Sequence, residues 1–274
     1  MRLLRMYRTY AQIPNNVSLI RHVMLKPFVF EAITMLMQLR DVRRRSKVDK
    51  TTVGDPYLRK VVCYNAGVTK SAFTRTRRAE KCYRELTYPY SHLPYLTGSR
   101  SDMEMMGKRL EDEKLLIIGP RNIHELLLAW LYGYRWENIH AIDLYSTNPK
   151  IEIMNMNAMA YEAETFDAVA VYSTLAYSPD LRKSLAEICR VLKPAGRLVF
   201  QIGYTTAPDD EWGWGSLCVP GEEIRRILEE LGFYITAWRA TYMGSRDGES
   251  YGSDYFFSVQ KTNPKDLGFD TIDW

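Results

Sequence analysis

The sequence predicts an α/β protein: a doubly wound, mostly parallel seven-stranded sheet preceded by a basic, partly helical extension. Three observations predict it. After Glu113, short apolar runs rich in branched residues alternate with helical stretches, the pattern of a parallel sheet covered on both faces. The first of those runs stops abruptly at Gly119-Pro120, as a strand does when the chain turns into a helix. Charge divides the chain: residues 1–100 hold 20 Lys/Arg and 6 Asp/Glu, net +14, and the remainder holds 17 and 27, net −10. Two parts with different tasks follow from that asymmetry.

The elements are read in order. Residues 1–27 show little period and contain the turn signal Pro14-Asn15-Asn16. Phe28 to Arg45 reads as a helix. Val29, Ala32, Ile33, Leu36 and Met37 share a face, Leu39 lies beside it, and Arg43-Arg44-Arg45 stand at the C-terminal end. That apolar face calls for a partner, so the front portion is expected to be a folded cap. Residues 46–60 look like an exposed connector. Arg75 to Arg84 is charged, and YPYSHLPY at 88–95 has the prolines of a loop. Beyond Glu113, strands are expected at 114–119, 139–143, 150–154, 166–172 and 196–203, then at 233–242 and 255–261. Helices are expected at 122–132, 179–192 and 221–231. This gives an N-terminal extension over 1–104, the sheet domain over 105–262 and a tail over 263–274.

Composition excludes some classes. With 46% hydrophobic and 12% aromatic residues the chain can bury a sizeable core, so it is not disordered throughout. No apolar run reaches the roughly 18 residues that span a bilayer. MRLLRMYRTY is basic but lacks an apolar signal core, which points to a cytoplasmic protein. Cys63, Cys82, Cys189 and Cys218 form no CxxC pair and stand at no metal spacing to histidine, so free thiols are expected.

The chemistry-bearing signal is the block FDAVAVYSTLAYSPDLRKSLAEICRVLKPAGRLVFQIG at 166–203. Pro194 is expected to stop the helix, and Gly196 to let the chain turn into the next strand. The block resembles the fourth-strand, helix and fifth-strand segment of the class I, Rossmann-like S-adenosylmethionine-dependent methyltransferases. There a strand opening with Phe-Asp leads to a helix ending in Arg-Val-Leu-Lys-Pro-Gly-Gly; here that ending is Arg190-Val191-Leu192-Lys193-Pro194-Ala195-Gly196. The likeness extends in weaker form over 113–262, and residues 1–100 take no part in it.

The resemblance implies S-adenosylmethionine as cofactor and assigns residues to it. The family carries Gly-x-Gly-x-Gly after the first strand. This chain keeps only Gly119, in the run Ile118-Gly119-Pro120-Arg121-Asn122-Ile123-His124. A turn at Gly119 and Pro120 still presents backbone N–H groups and a helix N-terminus to a ligand, and Arg121 suits the methionine carboxylate. Asp143, ending the second strand, offers two oxygens to the two ribose hydroxyls. Asn155 or Asn157 takes the place of the acid that holds adenine, with Asn155 preferred, and Met156 would flank the ring. Tyr172, Ser173 and Thr174 follow the fourth strand, where the reactive methyl would point.

Beyond the fifth strand lies Pro208-Asp209-Asp210-Glu211-Trp212-Gly213-Trp214-Gly215, where this fold contacts its acceptor. Its acids and indoles suit a sugar ring or a cationic amine. Candidates for the base are His92, His124, Asp209 and Asp210. The sequence thus implies O-methylation of a small molecule or glycan, with the N-terminal region as lid and acceptor wall. Two alternatives stand beside it. One is a nucleic-acid methyltransferase whose Arg43–Arg45, Arg75, Arg77 and Arg78 meet phosphates. The other is a non-catalytic binding protein on the same fold. The basic front would also suit peripheral contact with an anionic membrane. No metal site is expected.

Overall fold

The computed structural model describes residues 112–120, 123–132, 134–172, 174–205, 219–242, 245–246, 249–250 and 252–261, together with single positions between 29 and 62. The described strands are β1 (Lys47–Val48), β2 (Leu115–Ile118), β3 (Ile139–Asp143), β4 (Tyr145–Ser146), β5 (Glu152–Ile153), β6 (Phe166–Tyr172), β7 (Leu192–Thr205), β8 (Phe233–Tyr242), β9 (Ser245–Arg246), β10 (Glu249–Ser250) and β11 (Gly252–Lys261). The helices are α1 (Ile123–Tyr132), α2 (Leu181–Val191) and α3 (Gly221–Glu230), with 3-10 turns at Trp136–Asn138 and Leu175–Tyr177. Seven strands form one sheet in the order β5-β3-β2-β6-β7-β11-β8. β2 with β6, β6 with β7 and β3 with β5 run parallel, while β11 runs antiparallel to both β7 and β8. The expected mostly parallel seven-stranded sheet is the observed one.

The chain divides into two compact units, Met1–Lys114 with Pro120–Ile153, and Leu115–Gly119 with Met154–Trp274. In the first, α1 buries Ile123, Leu126, Leu127 and Ala129 at helical spacing. β3 buries Ile139, Ala141, Ile142 and Asp143. Two expectations for this unit need correction. Residues 46–60 are not wholly an exposed connector, because Lys47 and Val48 pair antiparallel with Ser146 and Tyr145. A short backbone run with neither strong propensity nor apolar alternation gives no signal for such pairing. The helical positions Val29, Ala32, Ile33, Leu36, Met37 and Leu39 do fall within the expected helix, yet Leu36 is 64% exposed and Ala32 is also exposed. Helical spacing fixed the periodicity of that face but not its burial.

In the second unit, β2 is buried at every position and pairs with β6, whose Ala168, Val169, Ala170 and Val171 are buried too. These continuous apolar runs reflect a sheet covered on both faces. α2 starts at the N-cap Asp180, whose side chain accepts the Lys183 N–H at 2.9 Å. Leu181, Leu185, Ile188 and Val191 make its buried stripe. β7 and β11 pair along most of their lengths, and Phe200 stacks on Phe257 with ring centroids 5.0 Å apart.

The helix-to-strand junction departs from the sequence reading. β7 begins at Leu192, and the left-handed residue is Ala195 at φ 59°, where the related family has glycine. Gly196 is required for closeness instead: a Cβ there would lie 2.7 Å from the Lys193 carbonyl oxygen. The block is a clasp. Lys193 Nζ lies 2.8 Å from both oxygens of Asp167, and Arg190 donates to the Met159 and Tyr161 carbonyls at 2.9 and 2.8 Å. Glu187 receives Arg190 and the Met159 N–H, and the Arg190 hydrogen bond above all holds its carboxyl below the usual range. Asp167 is the second residue of β6 and Tyr172 its last, so these contacts lie at the far end of the strand from Tyr172.

Candidate functional site

The turn that follows β2 rests on one glycine. Gly119 has φ +70°, the left-handed region that favours glycine, and leads into the buried Pro120 and then α1. A Cβ at Gly119 would overlap the Thr174 side chain. The Thr174 hydroxyl stands 3.3 Å from the Gly119 carbonyl and 3.1 Å from that of Tyr172, and its single proton serves one of them at a time. The structure therefore brings Gly119, Tyr172 and Thr174 together where two parallel strands end. That is where open α/β sheets bind ligands. Tyr172 is buried. This contact of Thr174 is invisible in the sequence, because it joins positions 55 residues apart.

Asn155, Met156 and Asn157 are all described. The Asn157 carboxamide oxygen is buried and receives the hydroxyls of Ser178 and Ser184, themselves within 2.7 Å of each other. That oxygen faces these two hydroxyls in the interior. Asn155 caps the turn, with its Oδ1 accepting the Asn157 N–H at 2.9 Å. A carboxamide oxygen has a second lone pair, so Asn155 keeps capacity that Asn157 lacks. Met156 is half-buried.

In the other unit, Asp143 ends β3 with 9% exposure, and its Oδ1 accepts the Tyr145 N–H at 3.2 Å. The residues after it form successive side-chain-closed turns. Ser146 Oγ accepts the Asn148 N–H at 2.9 Å, and Asn148 Oδ1 accepts the Lys150 N–H at 2.8 Å. Nearby, His140 Nδ1 lies 3.9 Å from Glu152, and Lys150 lies over the Trp136 ring at 5.4 Å. Burial, then the Lys150 charge, pushes the His140 pKa below its ordinary value, against the pull of Glu152.

Arg121, Ser173, His92, Asp209 and Asp210 lie outside the described residues, as do Trp212 and Trp214. His124 occupies the first turn of α1, and its side chain is likewise outside them. Among the described residues no helix is long and apolar enough to cross a membrane.

A family model described as a methyltransferase domain matches residues 133–200. The matched span holds Asp143, Asn155, Met156 and Tyr172, and begins beyond Gly119. The strand order, with antiparallel β11 between β7 and β8, is that of the class I, Rossmann-like methyltransferases. Over residues 133–200, about a quarter of its length, the chain is similar to a methyltransferase domain, and its sheet has the strand order of the class I, Rossmann-like fold. No characterised protein in the curated set matches the chain. Solved structures that resemble it include a S-adenosylmethionine-dependent methyltransferase from Methanosarcina mazei, 16% identical, over 58% of this chain and 97% of that one, with TM-score 0.42. Another is phosphoethanolamine N-methyltransferase 2 of Haemonchus contortus, 15% identical, over 61% and 54%, with TM-score 0.46. The [4+2]-cyclase SpnF is 16% identical, over 55% and 74%, with TM-score 0.44. Likenesses this distant add nothing to what the strand order and the family match establish.

Proposed function

We propose that the chain transfers a methyl group from S-adenosylmethionine to an oxygen of a small molecule or glycan. The observation that supports it most is the nearly buried carboxylate of Asp143 at the end of β3, inside the matched methyltransferase span. A carboxylate held there by a backbone N–H suits a pair of vicinal hydroxyls, as on a ribose. The left-handed turn at Gly119 fits the same cofactor, since it sets backbone rather than side chain before the start of α1. When bound, the cofactor supplies an electrophilic methyl on a sulfonium sulfur.

The protein's part is binding, orientation and exclusion of water. Asp143 would hold the ribose, Asn155 would accept the adenine amino group, Met156 would flank the ring, and Arg121 would pair with the methionine carboxylate. Gly119, Pro120, Tyr172 and Ser173 complete the lining. Trp212 and Trp214 would orient the acceptor ring, and one of His92, His124, Asp209 and Asp210 would take the acceptor's hydroxyl proton.

The +14 charge of residues 1–100 favours a second reading, methylation of RNA. Methyl-transfer assays on a glycan panel and on mixed RNA, each at two salt concentrations, separate the two. Activity on glycans with little salt dependence supports the proposal. Activity on RNA alone, falling steeply with salt as released counterions are replaced, overturns the choice of acceptor.

A further inference from the structure

The connection between β3 and β5 is unusual for a parallel pair. β3 ends at Asp143, β5 begins at Glu152, and their register is parallel, with Asp143 opposite Ile153. A parallel crossover ordinarily takes a dozen or more residues and contains a helix. Here residues 144–151 contain none. In its place β4 follows one residue after Asp143, and β4 is paired antiparallel with β1 of the N-terminal region, Val48 opposite Tyr145 and Lys47 opposite Ser146. Tyr145 and Ser146 are buried at 8% and 5% exposure. Tyr145 is thus shared. Its N–H holds Asp143 Oδ1 at 3.2 Å, and its main chain forms the β1 pair.

We infer that the backbone of residues 47–48 is a positioning strap outside the cofactor site: it stands where a crossover helix would and positions Asp143 through the backbone of Tyr145. This rests on the reading of Asp143 as the ribose-binding carboxylate. The physical chain is short. A carboxylate grips two hydroxyls only when both its oxygens are correctly aimed, and one hydrogen bond from a fixed N–H sets that aim. The N–H is fixed only as firmly as the residue that bears it. A two-residue strand is marginal alone and gains persistence from its pairing. Pairing and cofactor binding therefore stabilise the same arrangement, and each strengthens the other, as linkage requires. The basic front portion, which has no counterpart in the methyltransferase match, thereby acquires a role in cofactor affinity.

Two measurements on the full chain test this. The first is amide hydrogen exchange with and without S-adenosylmethionine. Exchange at residues 47–48 and 145–146 should slow together when the cofactor is added, and the slowing at 47–48 should vanish in Asp143→Asn. The second is calorimetric affinity for S-adenosylmethionine in two double variants. Lys47→Pro with Val48→Pro removes both backbone donors of β1 and should weaken binding at least about tenfold, while Lys47→Ala with Val48→Ala keeps the backbone and should stay within about twofold. If the proline variant does not fold, the exchange experiment on wild type and Asp143→Asn decides alone. Cofactor binding by wild type with no change in exchange at 47–48 overturns the inference and leaves the functional reading standing. Wild type that binds no S-adenosylmethionine overturns both.

Discussion

The Thr174 hydroxyl stands 3.3 Å from the Gly119 carbonyl oxygen, and a Cβ on Gly119 would run into that same side chain. The one glycine kept from a glycine-rich pattern is thus required twice, by its φ of +70° and by the threonine across from it. Gly119→Ala should destabilise the fold by about 2–4 kcal/mol, adding left-handed strain to overpacking. Adding Thr174→Gly should recover the overpacking part and leave the strain. Denaturant melts of the two single variants and the double variant measure the coupling. Simple additivity would contradict the contact.

Ala195 sits at φ 59° in the turn between α2 and β7. Ala195→Gly should relieve that strain at the cost of a more flexible unfolded chain, a net gain of about 0.5–1 kcal/mol and a Tm higher by about 1–4 °C. Gly196→Ala should act in the opposite direction, because its Cβ meets the Lys193 carbonyl. Thermal melts of both variants check the assignment, and a Tm lowered by Ala195→Gly would refute it.

His140 adds a pH dependence. Burial and Lys150 lower its folded pKa from 6.5, so the fold favours the neutral ring. The unfolded chain takes up the proton first as pH falls. The contribution is complete above the unfolded pKa and declines through the window below about 6.5, down to the folded value. His140→Gln should therefore lose less stability than wild type between about pH 7.5 and about pH 5.5. Urea melts at both pH values test this, and equal losses would show that His140 contributes nothing.

Much of the sheet was legible because burial on both faces writes continuous branched runs into the sequence, as in Leu115–Ile118 and Phe166–Tyr172. Helix and strand ends were less so. The strand expected at 150–154 is only Glu152–Ile153, and the one expected from 196 starts at Leu192. Asp143 was readable as a strand-ending acid, since its position follows from β3 alone. The Gly119–Thr174 packing, the commitment of Asn157 to Ser178 and Ser184, and the β1–β4 pair were not readable. Each depends on which distant segment arrives opposite, and no local period encodes that.

Asp143 is the centre of the proposed cofactor site. The most direct measurement is a calorimetric titration of the full chain and of Asp143→Ala with S-adenosylmethionine. Wild type should bind saturably, and the variant should bind more weakly by about 1–3 kcal/mol, the cost of losing hydrogen bonds to a charged group. A folded Asp143→Ala that binds as tightly as wild type, or a wild type that binds none, would contradict it.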